Sequence, residues 1–121
     1  MNVLILDDSK TMVRIISNTI SKMGSFNIKT GEDGLEGVNI WKENKGNFDI
    51  ILTDWNMPNM NGLDFVKFIR EKNKLIPIIM ITTEAGKSEV ITALRAGVNN
   101  YICKPFSAEI LKEKLTDILK G

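Results

Sequence analysis

The sequence predicts an α/β protein: a five-stranded parallel sheet, doubly wound, with helices on both faces. Three observations point there. Strand-like and helix-like stretches alternate five times along the chain, the pattern of successive βαβ units. The runs Val3-Leu4-Ile5-Leu6 and Ile50-Ile51-Leu52-Thr53 are almost wholly aliphatic, as strands covered on both faces are. Acids close both runs, Asp7 and Asp8 after the first and Asp54 after the second. In an open α/β sheet, ligands bind beyond the carboxyl ends of the strands, where the strand order reverses.

Each element has its own signal. After the strand Val3 to Leu6, residues from about Ser9 to Met23 place Met12, Ile15, Ile16, Ile20 and Met23 on one helical stripe. Gly24 reads as that helix's C-terminal cap. Phe26 to Thr30 is a weaker, more polar strand, expected at an edge. Asp33 to about Asn44 is a second helix with Leu35, Val38 and Trp41 inward, and Gly46-Asn47 is a turn. Phe48 to Thr53 is the central strand. An Asn-rich loop, Trp55 to Gly62, leads to a helix over about Leu63 to Lys72, with Phe65, Val66, Phe68 and Ile69 apolar. Pro77 opens the strand Ile78 to Thr82. Lys87 to Ala96 is a fourth helix, stopped by Gly97, and Asn100 to Cys103 a fifth strand. Ser107 caps a last helix that Ile110, Leu111, Leu115, Ile118 and Leu119 anchor to the core. Nothing is left for a second domain, so residues 1–121 are expected to form one.

Composition narrows the function. A chain of 121 residues, 43% apolar and 26% charged, is typical of one globular domain. Its net charge of +1, with basic residues scattered, gives no footprint for nucleic acid. No run has the length of a membrane span or the core of a signal peptide. The single cysteine, Cys103, precludes an internal disulfide and favours a reducing, cytoplasmic setting. Its apolar neighbours suggest a buried structural thiol. The absence of histidine excludes a histidine nucleophile, base or ligand. A metal must then be held by oxygen, which points to Mg²⁺ or a similar hard ion rather than zinc.

If the first and third strands are neighbours, Asp7, Asp8 and Asp54 share one crevice. Their charges repel, which favours protonation of one of them or a bound divalent cation. Thr82, Lys104 and Asn56 fall at the same ends of their elements, and Tyr101 lies within the fifth strand. Carboxylates hold a metal, and a carboxylate can attack phosphorus to form an acyl phosphate. A lysine and a hydroxyl can meet the transferred group. Each residue alone has a plainer use: Asp7 or Asp8 as a helix cap, Asp54 in a turn, Thr82 at a strand end, Lys104 on the surface, Tyr101 in the core. Together at one end of the sheet they make a coherent set.

The segments Leu6-Asp7-Asp8-Ser9, Leu52-Thr53-Asp54-Trp55-Asn56-Met57-Pro58, Met60-Asn61-Gly62, Ile81-Thr82-Thr83-Glu84-Ala85 and Tyr101-Ile102-Cys103-Lys104-Pro105-Phe106 resemble, in order, those of a response-regulator receiver domain. Within that family the chain resembles the stand-alone chemotaxis regulators. The resemblance implies a flavodoxin-like (βα)5 sandwich of three layers with strand order 2-1-3-4-5. It implies phosphoryl transfer to Asp54 from a histidine kinase of the chemotaxis type, with Mg²⁺ held by Asp8, Asp54 and the backbone carbonyl of Asn56, and Asp7 helping through water. Lys104 would pair with the phosphoryl oxygens, Thr82 would hydrogen-bond them, Tyr101 would swing inward, and Lys104-Pro105 would be a cis peptide. Asn56 and Glu84 would tune access of the hydrolytic water.

Lys87, Val90, Tyr101, Cys103 and Lys114 match the surface that meets the flagellar motor switch protein, and the resemblance leaves room for a phosphatase. Such a protein signals rather than acting as an enzyme on other substrates. Receivers that pair beside DNA-binding domains commonly read Asp-Asp-Tyr where this chain reads Asn99-Asn100-Tyr101, so a monomer is expected. Ser9 and Val13 depart from the best-known chemotaxis pattern, which bears on kinetics. A phosphorelay intermediate or a regulator of another output is the alternative within the family. A phosphatase of the haloacid-dehalogenase type needs an acid where Asn56 stands, and a flavodoxin-like phosphate loop would not carry Asp7-Asp8.

Overall fold

In the computed structural model, which describes residues 1–120, ten elements alternate: β1 (Asn2–Leu6), α1 (Lys10–Ser21), β2 (Asn27–Gly31), α2 (Gly34–Glu43), β3 (Ile50–Thr53), α3 (Gly62–Lys72), β4 (Ile78–Thr82), α4 (Lys87–Ala96), β5 (Asn100–Cys103) and α5 (Ala108–Lys120). All neighbouring strands pair in parallel, in the order β2-β1-β3-β4-β5. Gly121 lies outside the described residues.

Alternation along each strand splits the core into two layers. Leu4, Leu6, Ile51, Ile78 and Met80 face α2, α3 and α4, packing on Trp41, Phe65, Val66, Ile69 and Ala93. Val3, Ile5, Ile50, Leu52, Ile79, Ile81 and Ile102 face α1 and α5, packing on Ile16, Ile20, Leu111 and Leu115. Each such side chain taken fully from water contributes roughly 1.5–3 kcal/mol.

Several inward faces differ from the sequence expectation. On α1, Ile15 is exposed and Thr19 is buried instead, its hydroxyl donating to the Ile15 carbonyl at 2.9 Å. That bond satisfies the buried hydroxyl. On α2, Leu35 is exposed, and the buried face is Gly34, Gly37 and Trp41. A Cβ at Gly37 would sit 2.5 Å from Leu6 Cδ1 and 2.8 Å from Phe65 Cε1, so only glycine lets α2 approach this closely. Ile110 is likewise exposed on α5, where Leu111 and Leu115 hold the inner face. α1 ends at Ser21 with Lys22 as its cap rather than Gly24, and β3 starts at Ile50, two residues later than expected.

Cys103 is exposed, not buried. β5 is an edge strand, and the parity that turns Ile102 into the α1/α5 layer turns Tyr101 and Cys103 the other way, where the cover thins. Among the described residues, no helix is long and apolar enough to cross a membrane.

Candidate functional site

Register and parity assemble the site. Leu6 pairs with Thr53, so Asp7 and Asp54 follow side by side. Asp7 continues the parity of Val3 and Ile5, and Asp54 that of Ile50 and Leu52, so both turn to the α1/α5 side. Thr82 pairs with Cys103, and the next residue, Lys104, shares the parity of Ile102. Its backbone N–H donates to the Thr82 carbonyl at 2.8 Å. The Lys104-Pro105 peptide is cis, as expected.

Lys104 Nζ lies 2.8 Å from Asp7 Oδ2 and 2.8 Å from Asp54 Oδ2. The other Asp7 oxygen accepts the Ser9 N–H at 2.9 Å, and Asp54 Oδ1 accepts the Trp55 N–H at 2.6 Å. Asp8, exposed, completes a cluster in which one oxygen from each of Asp7, Asp8 and Asp54 lies within 4.8 Å of the others. Neither Asp7 nor Asp8 caps α1: Ser9 does, accepting the Met12 N–H at 3.2 Å. The acids are thus left to the crevice.

Burial raises the Asp7 carboxyl above its ordinary 3.8, and the Asp54 charge adds to this, against the lowering effect of Lys104 and the Ser9 N–H. For Lys104, burial works to lower the ammonium's pKa. Its hydrogen bonds to Asp54 and Asp7 outweigh that and hold it above the usual 10.5. One ammonium therefore balances two carboxylates incompletely. The all-oxygen donor set suits a hard divalent cation.

The loop after β3 turns tightly back. Gly62 N–H donates to the Trp55 carbonyl at 2.8 Å, and a Cβ at Gly62 would lie 1.8 Å from the Asp54 carbonyl oxygen. No other residue fits there without moving the backbone. The same loop carries Asn56 to the crevice rim, where its amide donates to Glu84 Oε1 at 2.7 Å.

Thr82 and Tyr101 occupy the α4 side of the sheet. Thr82 is fully buried, and its hydroxyl accepts the Glu84 N–H at 3.3 Å. Tyr101 pairs with Met80, is half-buried, and its phenol donates to the Glu84 carbonyl. Burial, with nearby negative charges, pushes its pKa up to about 12. Of the expected partner surface, Lys87 is exposed and Val90 half-buried on α4, Tyr101 half-buried and Cys103 exposed on β5, and Lys114 half-buried on α5.

Two residues escaped the sequence reading. Asp33, N-cap of α2, accepts the Glu36 N–H at 2.8 Å and the Asn59 amide at 2.7 Å. The cap was legible in Asp33-Gly34-Leu35-Glu36. The Asn59 partner, 26 residues on, carries no local signal.

The response regulator receiver domain family matches residues 3–116, and the chain belongs to it. Among curated relatives, the chemotaxis protein CheY1 of Helicobacter pylori is 55% identical over 98% of this chain and 97% of its own. The CheY homolog of Campylobacter jejuni is 52% identical over 98% of this chain and 92% of its own. Among solved structures, the chemotaxis response regulator CheY4 of Vibrio cholerae superposes with a TM-score of 0.87 at 34% identity, covering 97% of each chain.

Proposed function

We propose that this chain is a single, stand-alone receiver domain that serves as a cytoplasmic chemotaxis response regulator, phosphorylated on Asp54. The observation that carries the reading is the Lys104 ammonium seated between Asp7 and Asp54, with Asp8 beside them, beyond the ends of β1, β3 and β5. Relatives named for chemotaxis, matched over nearly their whole length, support the stand-alone assignment.

An Asp54 carboxylate oxygen attacks the phosphorus of a phosphohistidine on a partner kinase. The P–N bond breaks as the P–O bond forms, and the imidazole leaves with the electron pair of the broken bond. Asp8, Asp54 and the Asn56 carbonyl would hold Mg²⁺, with Asp7 assisting through water. When bound, that ion supplies charge neutralisation for the transferred group. The acyl phosphate carries about −1.5 to −2 charge where the Asp54 carboxylate carried one, so an already acidic site becomes more negative by up to about one charge. Lys104 pairs with the new oxygens, and the Thr82 hydroxyl leaves the Glu84 N–H to donate to them. Tyr101 and Thr82 share a face of the sheet and both bond to Glu84, so that movement alters the surface of α4, β5 and α5. Lys87, Val90, Tyr101, Cys103 and Lys114 would then present a changed face to a motor switch protein, a shift of a pre-existing balance.

Incubation with acetyl phosphate and Mg²⁺, followed by peptide mass spectrometry, tests the acceptor. Label is expected on the Asp54 peptide in the wild type and absent in Asp54→Asn. Label retained in that variant refutes the assignment. Beryllofluoride-dependent capture of a flagellar switch peptide, against capture by a histidine-phosphotransfer domain, separates motor control from a relay role.

A further inference from the structure

The β3–α3 loop is strapped to the start of α2, far from it in sequence. Asn59 donates its amide to Asp33 Oδ2 at 2.7 Å, and the Gly34 N–H donates to the Met60 carbonyl at 2.8 Å. Asp33 is 5% exposed, and both its oxygens are used. Asn59 adopts φ 64°, a left-handed conformation that asparagine tolerates better than most residues. At the loop's far end Gly62 folds back on Trp55. The chain between these anchors is short, and it contains Asn56.

We infer that Asp33 and Asn59 are positioning residues for the cation site: their hydrogen bond fixes the β3–α3 loop so that the Asn56 carbonyl stands ready beside Asp8 and Asp54. The inference rests on the proposed reading of these acids as a Mg²⁺ site. A carbonyl ligand has no charge to attract the ion at long range, so its contribution depends on being placed in advance. Groups that orient ligands in this way typically govern about 10- to 100-fold in metal affinity. An amide donor on a buried carboxylate is also stronger than a neutral pair.

Two variants separate positioning from mere folding. Asn59→Gly removes the bond while suiting the left-handed backbone. Asp33→Ser keeps a good helix cap but is too short to reach Asn59. Mg²⁺ binding is read by Trp55 fluorescence in the unphosphorylated protein, and stability by thermal unfolding in EDTA. Asn59→Gly is expected to unfold within a few degrees of wild type yet need about 10-fold more Mg²⁺ for half-saturation. Asp33→Ser should show the same shift, and the double variant no more than either alone, because both remove one interaction. Wild-type Mg²⁺ affinity in Asn59→Gly, or fully additive losses in the pair, overturns the inference while leaving the cation site standing. A wild-type protein whose fluorescence and melting ignore Mg²⁺ overturns both.

Discussion

Replacing Lys104 by methionine keeps much of the side chain's length and removes its charge. In the folded protein the Lys104 side chain is 12% exposed, against 2% for that of Asp7 and 10% for that of Asp54, with 2.8 Å contacts to each. Two carboxylates would then face each other with no cation between them. Stripping one partner from a buried ion pair costs about 3–5 kcal/mol, and the residual exposure here argues for the lower end. At about 3 kcal/mol, the melting point in EDTA should fall by roughly 12 °C for a domain of this size.

The pH dependence of that loss has a definite sign. Lys104 has a folded pKa above 10.5, so its stabilisation is complete below that value and disappears as pH rises through the folded one. Asp7 has a folded pKa above 3.8, so ionising it costs stability as pH rises, and protonating it relieves the variant. The difference between wild type and Lys104→Met should therefore be large at neutral pH and shrink toward pH 4. Mg²⁺ should restore the variant more than it stabilises wild type, because the ammonium no longer repels the dication. Melting curves at pH 4 and 7, with EDTA and with Mg²⁺, measure all of this. Equal losses at both pH values, or no selective rescue by Mg²⁺, would refute the picture of one cation balancing the crevice.

Arg70→Ala should destabilise by about 2 kcal/mol in urea unfolding. It removes a half-buried guanidinium that donates to the Gly97 and Asn73 carbonyls and to Asn99 Oδ1, clasping α3 to the end of α4. Cys103 should react with a thiol reagent in the native protein without prior unfolding, as an exposed thiol does; protection until denaturation would contradict its placement. Lys104→Arg should retain charge yet impair phosphorylation-dependent partner binding, because a planar fork cannot replace a compact ammonium between two oxygens.

What the sequence disclosed follows a physical division. Strand parity is a short-range property, so acids closing two aliphatic runs were readable as candidates for one crevice. The adjacency of those strands came from the family resemblance, and the pairing of Lys104 with Asp7 and Asp54 is seen only in the structure. Helix faces were less legible. The periodic stripe on α2 favoured Leu35, but glycines at 34 and 37 let the backbone itself pack inward, and apolar periodicity assigns glycine no face. Cys103 misled because an edge strand alternates like a central one while losing its cover on one side. The Asp33–Asn59 bond was invisible because hydrogen bonds between distant loops leave no periodic trace.

The strand order explains why a lysine does this work. β5 is separated from β3 by β4 and from β1 by β4 and β3. A residue at the end of β5 must cross the ends of two strands to reach Asp7, which a four-carbon stem can do and a short side chain cannot. β4 ends in Thr82, whose parity turns its side chain to the α4 face, away from the face that Asp7, Asp54 and Lys104 share. The crossing is thus open on one side of the sheet while a hydroxyl waits on the other. The lysine serves both acids at rest and would already be within reach of a phosphoryl group placed on Asp54 as proposed. If Asp54 is phosphorylated as proposed, the resting charge balance and the phosphoryl group would compete for one ammonium. On the proposed reading, a modification at Asp54 would reach Tyr101 through Thr82, which lies on the same face of the sheet and bonds to the same Glu84.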